Sequence, residues 1–289
     1  MTPTSAGARA SLAEIVRLAL DEDLGAGDRT TQAAVPAERR ARGQVVAKAA
    51  GVVAGIEAVG EVYRQADAAV HVEAAVQDGA AVAPGDVIAT VAGPARSILT
   101  GERVALNLLA RLSGVATLTR RFVEAVAGTG VAIVDTRKTT PGLRALEKAA
   151  VRAGGGVNHR FGLDDAILVK PNHVRAAGGW ARALEAVREG KRLGLPTEVE
   201  VARLDEIDLV LRALPDRILL DNLSPADVRE AVRRIRAAEP PRIGIEASGG
   251  VTLATVGELA RAGVDWISVG ALTHSAPSLD VALRVEPAD

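Results

Sequence analysis

The chain has 289 residues, of which 48% are hydrophobic and 25% are charged, and its formal net charge is −1. This composition is ordinary for a globular protein, and the near-zero charge excludes an overall basic field for nucleic acid. The absence of cysteine excludes disulfides, thiolate catalysis and cysteine-type zinc sites. No apolar run approaches the ~20 residues that a membrane helix needs, so we expect a cytoplasmic protein.

The first third of the chain predicts a mixed α/β region. Its N-terminal 25 residues lack the order of segments of a signal peptide and predict an amphipathic helix. Between about residues 40 and 98, β-like runs such as GQVVAKA and DVIATVAG alternate with turn signals such as QDGA and APGD. From residue 102, the run ERVALNLLARLSGVATLTRRFVEAVAG has helical periodicity.

The rest of the chain alternates short apolar strands with helices, which predicts a parallel sheet with right-handed crossovers. The predicted strands are residues 131–135, 166–170, 198–201, 217–221, 243–247 and 266–270. The predicted helices are residues 143–153, 178–194, 204–213, 225–237 and 252–262. The segment GVNHR (156–160) is a candidate for one more short strand, which brings the count close to the eight units of a full barrel.

Polar residues and glycines follow these strands at the end where barrel enzymes place their active sites. In chain order they are Arg137 and Lys138, Lys170, Glu200, Asp221, Ser248-Gly249-Gly250 and Gly270. Ordinary solvation of strand ends would give mixed polar residues, not cations first, acids next and glycines last. The order therefore favours an active site over a solvated sheet edge.

Each group of residues has a chemical interpretation and a plainer alternative. The glycine turns in ASGGVTLATVGELA and WISVGALTHS expose backbone N–H groups that bind phosphate, or they are simple tight turns. Glu200 and Asp221 accept sugar hydroxyls and hold Mg²⁺, or they are buried acids paired with arginines. The cations bind carboxylates and phosphates, or they are surface charges. Together the groups predict a carboxylate-rich substrate, a sugar phosphate and magnesium.

Several long motifs resemble those of the quinolinate phosphoribosyltransferase family, also called carboxylating nicotinate-nucleotide pyrophosphorylases. They are EDLGAGDRTT, LTGERVALNLLARLSGVATLT, DTRKTTPGLRALEKAAVRAGGGVNHR, EVEV, LLDN, SGGV and VGALTHS, which together span nearly the whole chain. Members of the family are pentosyltransferases of de novo NAD biosynthesis. They join quinolinate to 5-phosphoribosyl 1-diphosphate and release diphosphate and CO₂ to give nicotinate mononucleotide.

The resemblance implies an N-terminal α/β sandwich domain (residues 1–112) followed by an incomplete, open α/β barrel of about seven strands (residues 113–289). The barrel is expected to carry the active site, and its C-terminal tail is free to pack back on the first domain. The resemblance also implies small-molecule substrates, Mg²⁺ as the cofactor, and a homodimer or larger oligomer with shared active sites. No nucleic-acid or membrane partner is expected.

The resemblance further assigns roles to residues, position by position. Arg103 is expected to reach quinolinate in the neighbouring subunit's site, and Glu200 and Asp221 to contact ribose hydroxyls and Mg²⁺. The residues expected to bind the anions of quinolinate and the diphosphate are Thr136, Arg137, Lys138, His159, Arg160 and Lys170. The residues expected to bind the 5-phosphate are Ser248, Gly249, Gly250, Val269, Gly270 and Ala271. The expected catalytic residues are Lys138, Lys170, Glu200 and Asp221.

One residue departs from the family's pattern. The family usually has Lys-Asp-Asn-His where this chain has LVKPNH, so Pro171 replaces an acid. Proline removes an N–H group and biases Lys170 toward extended backbone, which a strand end tolerates. We expect activity to survive this replacement.

Three alternatives stay open from the sequence. A lyase or aldolase barrel would use Lys170 as a Schiff base, which borohydride would trap. A lipoyl- or biotinyl-type carrier is suggested by VQDGAAVAPGDVIATVAG, but no lysine lies between Lys48 and Lys138 to be modified. A paralogue associated with molybdenum transport shares the fold and would bind a different ligand.

Overall fold

A computed structural model describes residues 11–238 and 242–288, so the first ten residues of the predicted N-terminal helix lie outside the described chain. The elements up to the long central helix are α1 (Leu12–Leu24), α2 (Arg29–Ala34), β1 (Arg40–Ala47), β2 (Gly51–Val52), α3 (Ile56–Ala66), β3 (His71–Ala74), β4 (Ala81–Val82), β5 (Val87–Pro94) and α4 (Ala95–Ala125). The elements after it are β6 (Ala132–Val134), α5 (Arg144–Ala153), β7 (Ile167–Val169), α6 (Pro171–Ala177), α7 (Trp180–Ala183), α8 (Glu185–Leu193), β8 (Thr197–Val201), α9 (Ile207–Leu211), β9 (Arg217–Asp221), α10 (Pro225–Ala237), β10 (Gly244–Ser248), α11 (Val256–Arg261), β11 (Trp266–Ser268), α12 (Ala271–His274) and β12 (Val281–Pro287).

The chain divides into two compact units that are not continuous in sequence. The first comprises the chain up to residue 120, residues 139–155 and the chain from residue 272, and the second comprises residues 121–138 and 156–271. The helix α4 runs without a break through the domain boundary predicted after residue 112. That boundary stays a prediction.

The first unit contains an antiparallel sheet with the strand order β12-β1-β5-β3. Strand β1 alternates exposed and buried residues over most of its length, so one face is buried against a hydrophobic core. The core includes residues of α1, α3 and α4, among them Leu20, Tyr63 and Leu109. The last strand, β12, closes one edge of this sheet by pairing with β1 over residues 41–47.

The predicted helix at the N-terminus is confirmed over its described part, and its start has a clear chemical cause. Ser11 accepts a hydrogen bond from the backbone N–H of Glu14, and the Glu14 carboxylate accepts one from the backbone N–H of Ser11. This reciprocal capping satisfies N–H groups that a helix start would otherwise leave without partners.

Helix α3 of the first unit was not predicted, and neither was the short helix α2. The region from residue 40 to 98 was expected to be β-like, yet α3 lies within it. Its buried residues Ala58, Val59, Val62 and Tyr63 recur at the spacing of one helix face. The glycine and the β-branched residues of this segment lower its helix propensity, which weakens the helical signal in the sequence.

The second unit is built on a six-stranded parallel sheet with the strand order β6-β11-β10-β9-β8-β7. All six strands predicted in this half of the chain are confirmed, β9 with the predicted ends and the others with ends shifted by one or two residues. Their apolar residues, such as Ile218, Leu220 and Ile245, are fully buried, as parallel strands covered on both faces require. The segment GVNHR contributes a single parallel bridge between Val134 and Val157 instead of a strand.

The helix predicted over residues 178–194 is divided into short pieces. Gly178 and Gly179 both have positive φ angles, 83° and 131°, which end α6 and precede α7. The helix α6 itself was not predicted and begins at Pro171. Proline is favoured at the first helical position because its missing N–H has no partner there and its φ angle is already helical. Lys170 before it is extended, with φ −121° and ψ 163°, which confirms the expected effect of the proline.

None of the described helices is both long enough and apolar enough to cross a membrane.

Candidate active site

A cavity of about 550 Å³ lies at the carboxyl ends of the parallel strands, within the second unit. The predicted site residues that line it are Thr136, Arg137, Lys138, His159, Arg160, Lys170, Glu200, Asp221, Ser248, Gly249 and Gly250. The tertiary structure therefore brings together residues that are spread over more than 110 positions of the sequence. The carboxyl ends of parallel strands meet at one edge of a sheet, which is why polar residues after successive strands converge.

Four predicted residues do not line this cavity. On the segment after β11, the lining residue is Ser268, whereas Val269, Gly270 and Ala271 are not among the described residues that form the wall. Arg103 lies on α4 in the first unit, where its side chain is exposed. The roles of these four residues stay predictions.

Two arginines make one part of the cavity strongly attractive to anions. Burial lowers the pKa of Arg160, and the positive charge of neighbouring Arg137 lowers it further, although Glu198 and Asp165 oppose both effects. Two guanidinium groups that disfavour each other's charge are stabilised by an anion between them. Lys138 adds a third cation to the same wall. This part of the cavity therefore fits a ligand with more than one carboxylate.

The acidic part of the cavity is formed by Glu200 and Asp221, on neighbouring strands. Burial raises the pKa of Glu200 and the charge of Asp221 adds to the rise, while Lys170 opposes it. The Lys170 Nζ atom lies 3.4 Å from Glu200 Oε2. The Asp221 carboxylate also accepts a hydrogen bond of 2.8 Å from the side chain of Asn222. A buried carboxylate with a raised pKa is stabilised by a hydroxyl donor or a cation, so both sugar hydroxyls and Mg²⁺ fit here.

The turn Ser248-Gly249-Gly250 packs closely against Asn222. Gly249 and Gly250 have φ angles of 95° and 56°, a region that favours glycine. The backbone N–H of Asn222 donates to Ser248 O at 2.9 Å, and a Cβ on Gly249 would lie 2.7 Å from the same Asn222 nitrogen. Only glycine lets the two backbones approach this closely.

The helix after this turn begins later than predicted. It was expected from residue 252, but α11 starts at Val256, and Thr252 and Thr255 form a hydrogen-bonded turn before it. The glycine turn is therefore not the helix start itself, and any anion bound there would contact the turn's own N–H groups.

A network of buried charged groups lies beneath the cavity, and the sequence interpretation missed most of it. His159 Nε2 lies 2.9 Å from Glu198 Oε2 and 3.6 Å from Glu246 Oε2. Arg217 is 2.6 Å from the same Glu246 oxygen and stacks 3.9 Å from the centre of the Trp266 ring. Burial raises the pKa of Glu246 to about 6.

His159, Glu198 and Glu246 are close enough to be considered as metal ligands, but their hydrogen bonds oppose that interpretation. The N–H group of Arg160 donates to His159 Nδ1 at 2.8 Å, so that nitrogen has no proton and Nε2 carries the proton of the ring. A metal at Nε2 would require the opposite tautomer. Arg217 also balances the charge of Glu246 directly. We interpret the group as a hydrogen-bonded network.

The charge of His159 is subject to opposing effects. Burial lowers its pKa, whereas the hydrogen bond and charge of Glu198 and the charge of Glu246 raise it. The net effect is a raised pKa. The contact between Nδ1 and the Arg160 N–H requires a neutral ring, because a second proton would face the N–H proton. The neutral ring is therefore the state that holds Arg160 in the observed position.

Two signals in the sequence could have found these acids. Glu198 is two positions from Glu200 in the same strand, and residues with that spacing point to the same face. Glu246 interrupts an otherwise apolar strand, IGIEA, and a carboxylate in such a strand needs a buried partner.

The family models and the sequence relatives that match this chain all point to one family. The chain matches the family models "Quinolinate phosphoribosyl transferase, N-terminal domain" over residues 28–113 and "Quinolinate phosphoribosyl transferase, C-terminal domain" over residues 115–284. It is 46% identical to the carboxylating nicotinate-nucleotide pyrophosphorylase of Mycobacterium leprae, over 93% of this chain and 95% of that protein. It is 44% identical to a probable enzyme of the same name from Synechocystis, over 92% of this chain and 90% of that protein.

Solved structures agree with the sequence relatives. NadC from Streptococcus pyogenes superposes with a TM-score of 0.90 at 37% identity, over 99% of this chain and all of that one. The nicotinate-nucleotide pyrophosphorylase from Francisella tularensis superposes with a TM-score of 0.88 at 35% identity, over 98% of this chain and all of that one. The chain therefore belongs to the quinolinate phosphoribosyltransferase family.

Proposed function

We propose that this protein transfers the phosphoribosyl group of 5-phosphoribosyl 1-diphosphate to quinolinate. The products are nicotinate mononucleotide, diphosphate and CO₂, and the reaction is a step of de novo NAD biosynthesis. The observation that carries the proposal is the pair Arg137 and Arg160, whose adjacent charges in one cavity favour a ligand with two carboxylates. Family membership supports the same activity.

The reaction requires no protein nucleophile. The bond between ribose C1 and the diphosphate oxygen breaks, and the diphosphate leaves with the electron pair. The pyridine nitrogen then forms a bond to the positively charged ribose carbon. We assign to Glu200 and Asp221 the ribose hydroxyls and the positive charge that develops on the sugar. The protein contributes by positioning the reactants and by fixed charge.

The decarboxylation follows from the charge of the new nucleotide. The bond between the ring and its 2-carboxylate breaks, CO₂ leaves, and the electron pair stays on a carbon beside the cationic ring nitrogen. A proton from solvent then completes that carbon. Arg137, Arg160 and Lys138 would hold the two carboxylates before this step and fix the ring in the cavity.

We also propose Mg²⁺ as the cofactor, held by Glu200 and Asp221. These two carboxylates line one wall of the cavity, and burial, which raises the pKa of Glu200, supports a positive charge beside it. When bound, the ion would neutralise charge on the diphosphate leaving group. We assign Lys138 and Lys170 to the diphosphate leaving group as well.

Two structural features complete the proposal. The six parallel strands would form an open barrel, in which the bridge between Val134 and Val157 adds a seventh position beside β6.

The protein would be at least a homodimer in which the exposed Arg103 completes the neighbouring active site. A mixture of inactive Arg103→Ala and Lys138→Ala chains should then regain activity, because one site of each hybrid dimer carries neither change. No recovery after verified subunit exchange would contradict the shared site.

The function is tested by measuring diphosphate release with 5-phosphoribosyl 1-diphosphate and Mg²⁺, first with quinolinate and then with nicotinate. We expect turnover with quinolinate and almost none with nicotinate, because the cations that bind the second carboxylate then lose that interaction. Arg160→Gln should raise the KM for quinolinate, and Arg188→Gln, an exposed arginine on α8, should leave it unchanged. Equal turnover of the two acids would contradict the proposal.

The Schiff-base alternative receives no support from the site. Lys170 lies beside a carboxylate at 3.4 Å, and the acids, the paired arginines and the glycine turn all have roles in phosphoribosyl transfer that an imine mechanism leaves unexplained.

A further inference from the structure

The backbone that carries Arg160 is held by a buried carboxylate on the neighbouring strand. Asp135 follows β6 and is completely buried. Its Oδ1 atom accepts a hydrogen bond of 2.8 Å from the backbone N–H of His159, and its Oδ2 atom accepts one of 2.6 Å from the Asn158 side chain. Carboxylate bonds of this kind are among the stronger hydrogen bonds in proteins, so they fix the path of residues 158–159.

A second buried carboxylate holds the same segment through the ring of His159. Glu198 on β8 accepts a hydrogen bond of 2.9 Å from the ring nitrogen Nε2, and the other ring nitrogen accepts the backbone N–H of Arg160 at 2.8 Å. The ring therefore connects a buried strand to the main chain of the arginine. Both ring nitrogens are engaged by protein groups, which differs from the direct substrate contact expected from the sequence.

Arg160 needs such an anchor for two reasons. The positive charge of Arg137 lowers the pKa of Arg160 and so disfavours its charged form beside it. Arg160 also borders a second cavity of about 320 Å³, which lies toward the amino ends of the strands and is lined by Pro196, Arg217 and Trp266 among others. On the side of this second cavity the Arg160 guanidinium donates one hydrogen bond of 3.2 Å, from Nη1 to the backbone oxygen of Ala166. A fixed main chain limits how far the side chain can turn from the active site toward that contact.

The fold carries a local cost for this arrangement. The second oxygen of Glu198, Oε1, is buried and accepts no hydrogen bond from the described residues. A buried carboxylate oxygen without a donor destabilises the folded state. Local costs of this kind are expected where a residue serves the site rather than the fold.

We propose that Asp135, Glu198 and His159 are positioning residues that hold the main chain of Arg160 and thereby aim its guanidinium at the carboxylates of quinolinate. The inference rests on the proposed function, and it adds to the site two acids that the sequence interpretation did not assign. In this proposal Glu198 acts mainly through its hydrogen bond to His159, in addition to the direct effect of its charge on Arg160, and His159 acts through the main chain of Arg160.

The test is a double-mutant cycle on the Glu198–His159 contact, with steady-state kinetics for both substrates. Glu198→Ala should raise the KM for quinolinate roughly tenfold, or about 1.4 kcal/mol, and leave the KM for 5-phosphoribosyl 1-diphosphate unchanged. His159→Ala should have a similar or larger effect on the same constant. Because the two residues act in series, Glu198→Ala should add almost nothing to a chain that already carries His159→Ala.

Rescue by a conservative change distinguishes positioning from charge. The amide oxygen of Glu198→Gln can still accept the Nε2 hydrogen bond, so this variant should recover most of the quinolinate affinity that Glu198→Ala loses. Glu189→Gln, an exposed acid on α8, is the control for a change of net charge. Circular dichroism melting curves identify variants that do not fold. If Glu198→Ala does not fold, the KM values of Glu198→Gln and His159→Ala for quinolinate are compared instead.

The outcomes separate the two proposals. A wild-type protein that does not use quinolinate contradicts the proposed function itself. An active wild type with additive effects of the two alanine changes, or with equal effects on both substrates' KM values, overturns the positioning role. A Glu198→Gln variant as impaired as Glu198→Ala would show that the charge of Glu198 matters and not its hydrogen bond, and it would overturn the role as well.

Discussion

Replacing Gly249 with alanine should damage both the fold of the second unit and its glycine turn. Gly249 has a φ angle of 95°, and L-residues in the left-handed region cost roughly 1–2 kcal/mol. The new Cβ would press against Asn222 Oδ1 and lie 2.7 Å from the Asn222 backbone nitrogen. Overpacking of this kind costs roughly 1–3 kcal/mol. We therefore expect a loss of about 2–5 kcal/mol in the free energy of unfolding.

The neighbouring Gly250 provides a matched control in the same turn. It has a φ angle of 56°, but no atom lies within 4 Å of the position of its Cβ. Gly250→Ala should therefore show only the backbone cost of roughly 1–2 kcal/mol. The difference between the two variants isolates the contact with Asn222.

Urea unfolding followed by tryptophan fluorescence measures this difference directly. Both tryptophans of the chain, Trp180 and Trp266, lie in the second unit with the turn. The KM for 5-phosphoribosyl 1-diphosphate should rise more in Gly249→Ala than in Gly250→Ala, because the contact with Asn222 forces the turn to move. If both variants lose the same stability, the close approach to Asn222 does not constrain the turn and the reasoning is refuted.

Three further predictions concern charged groups. Glu147→Ala should lower the free energy of unfolding by roughly 3–5 kcal/mol in a urea titration, because this fully buried carboxylate pairs with an arginine. The control Glu189→Ala, at an exposed acid, should change the same free energy by less than about 1 kcal/mol. Lys170→Ala should lose roughly 2 kcal/mol of transition-state stabilisation, measured as a fall in kcat/KM, and a fully active variant would remove this lysine from the site. Pro171→Asp should keep kcat/KM within about tenfold of the wild type, because an acid also suits the first turn of α6. Burial raises the pKa of Glu246 from 4.5 to about 6, so between these pH values folding takes up a proton. The urea midpoint should therefore fall as the pH rises through this window, and Glu246→Gln should reduce that fall.

The parallel sheet of the second unit and most of the cavity above it could be predicted from the pattern of residues alone. Parallel strands are buried on both faces, so they appear as short apolar runs such as RILLD and WISVG, which turn residues and helices separate. Since all their carboxyl ends share one edge, the residues that follow them could be assigned to one site before any contact was known. Lys170, Glu200 and Asp221 are examples of residues found in this way.

Local signals were less reliable where two of them disagreed. The segment that forms α3 contains a glycine and β-branched residues within a helical spacing, and its neighbours on both sides are strands. Pro171 was interpreted as a departure from a family pattern, although the same residue marks the first position of α6. For α3 the decisive factor is which face becomes buried, and that depends on the rest of the fold.

The partners of the buried charges and the pairing of distant strands depend on how the whole chain packs. Strand β12 joins β1 across more than 230 residues of sequence, and no local pattern specifies that edge. Asp135 and Glu198 look like ordinary polar residues in apolar strands until their hydrogen bonds to His159 are seen. Periodicity reports which face of a strand a side chain occupies, but a hydrogen bond depends on distances of about 3 Å, which only the packing of the strands sets.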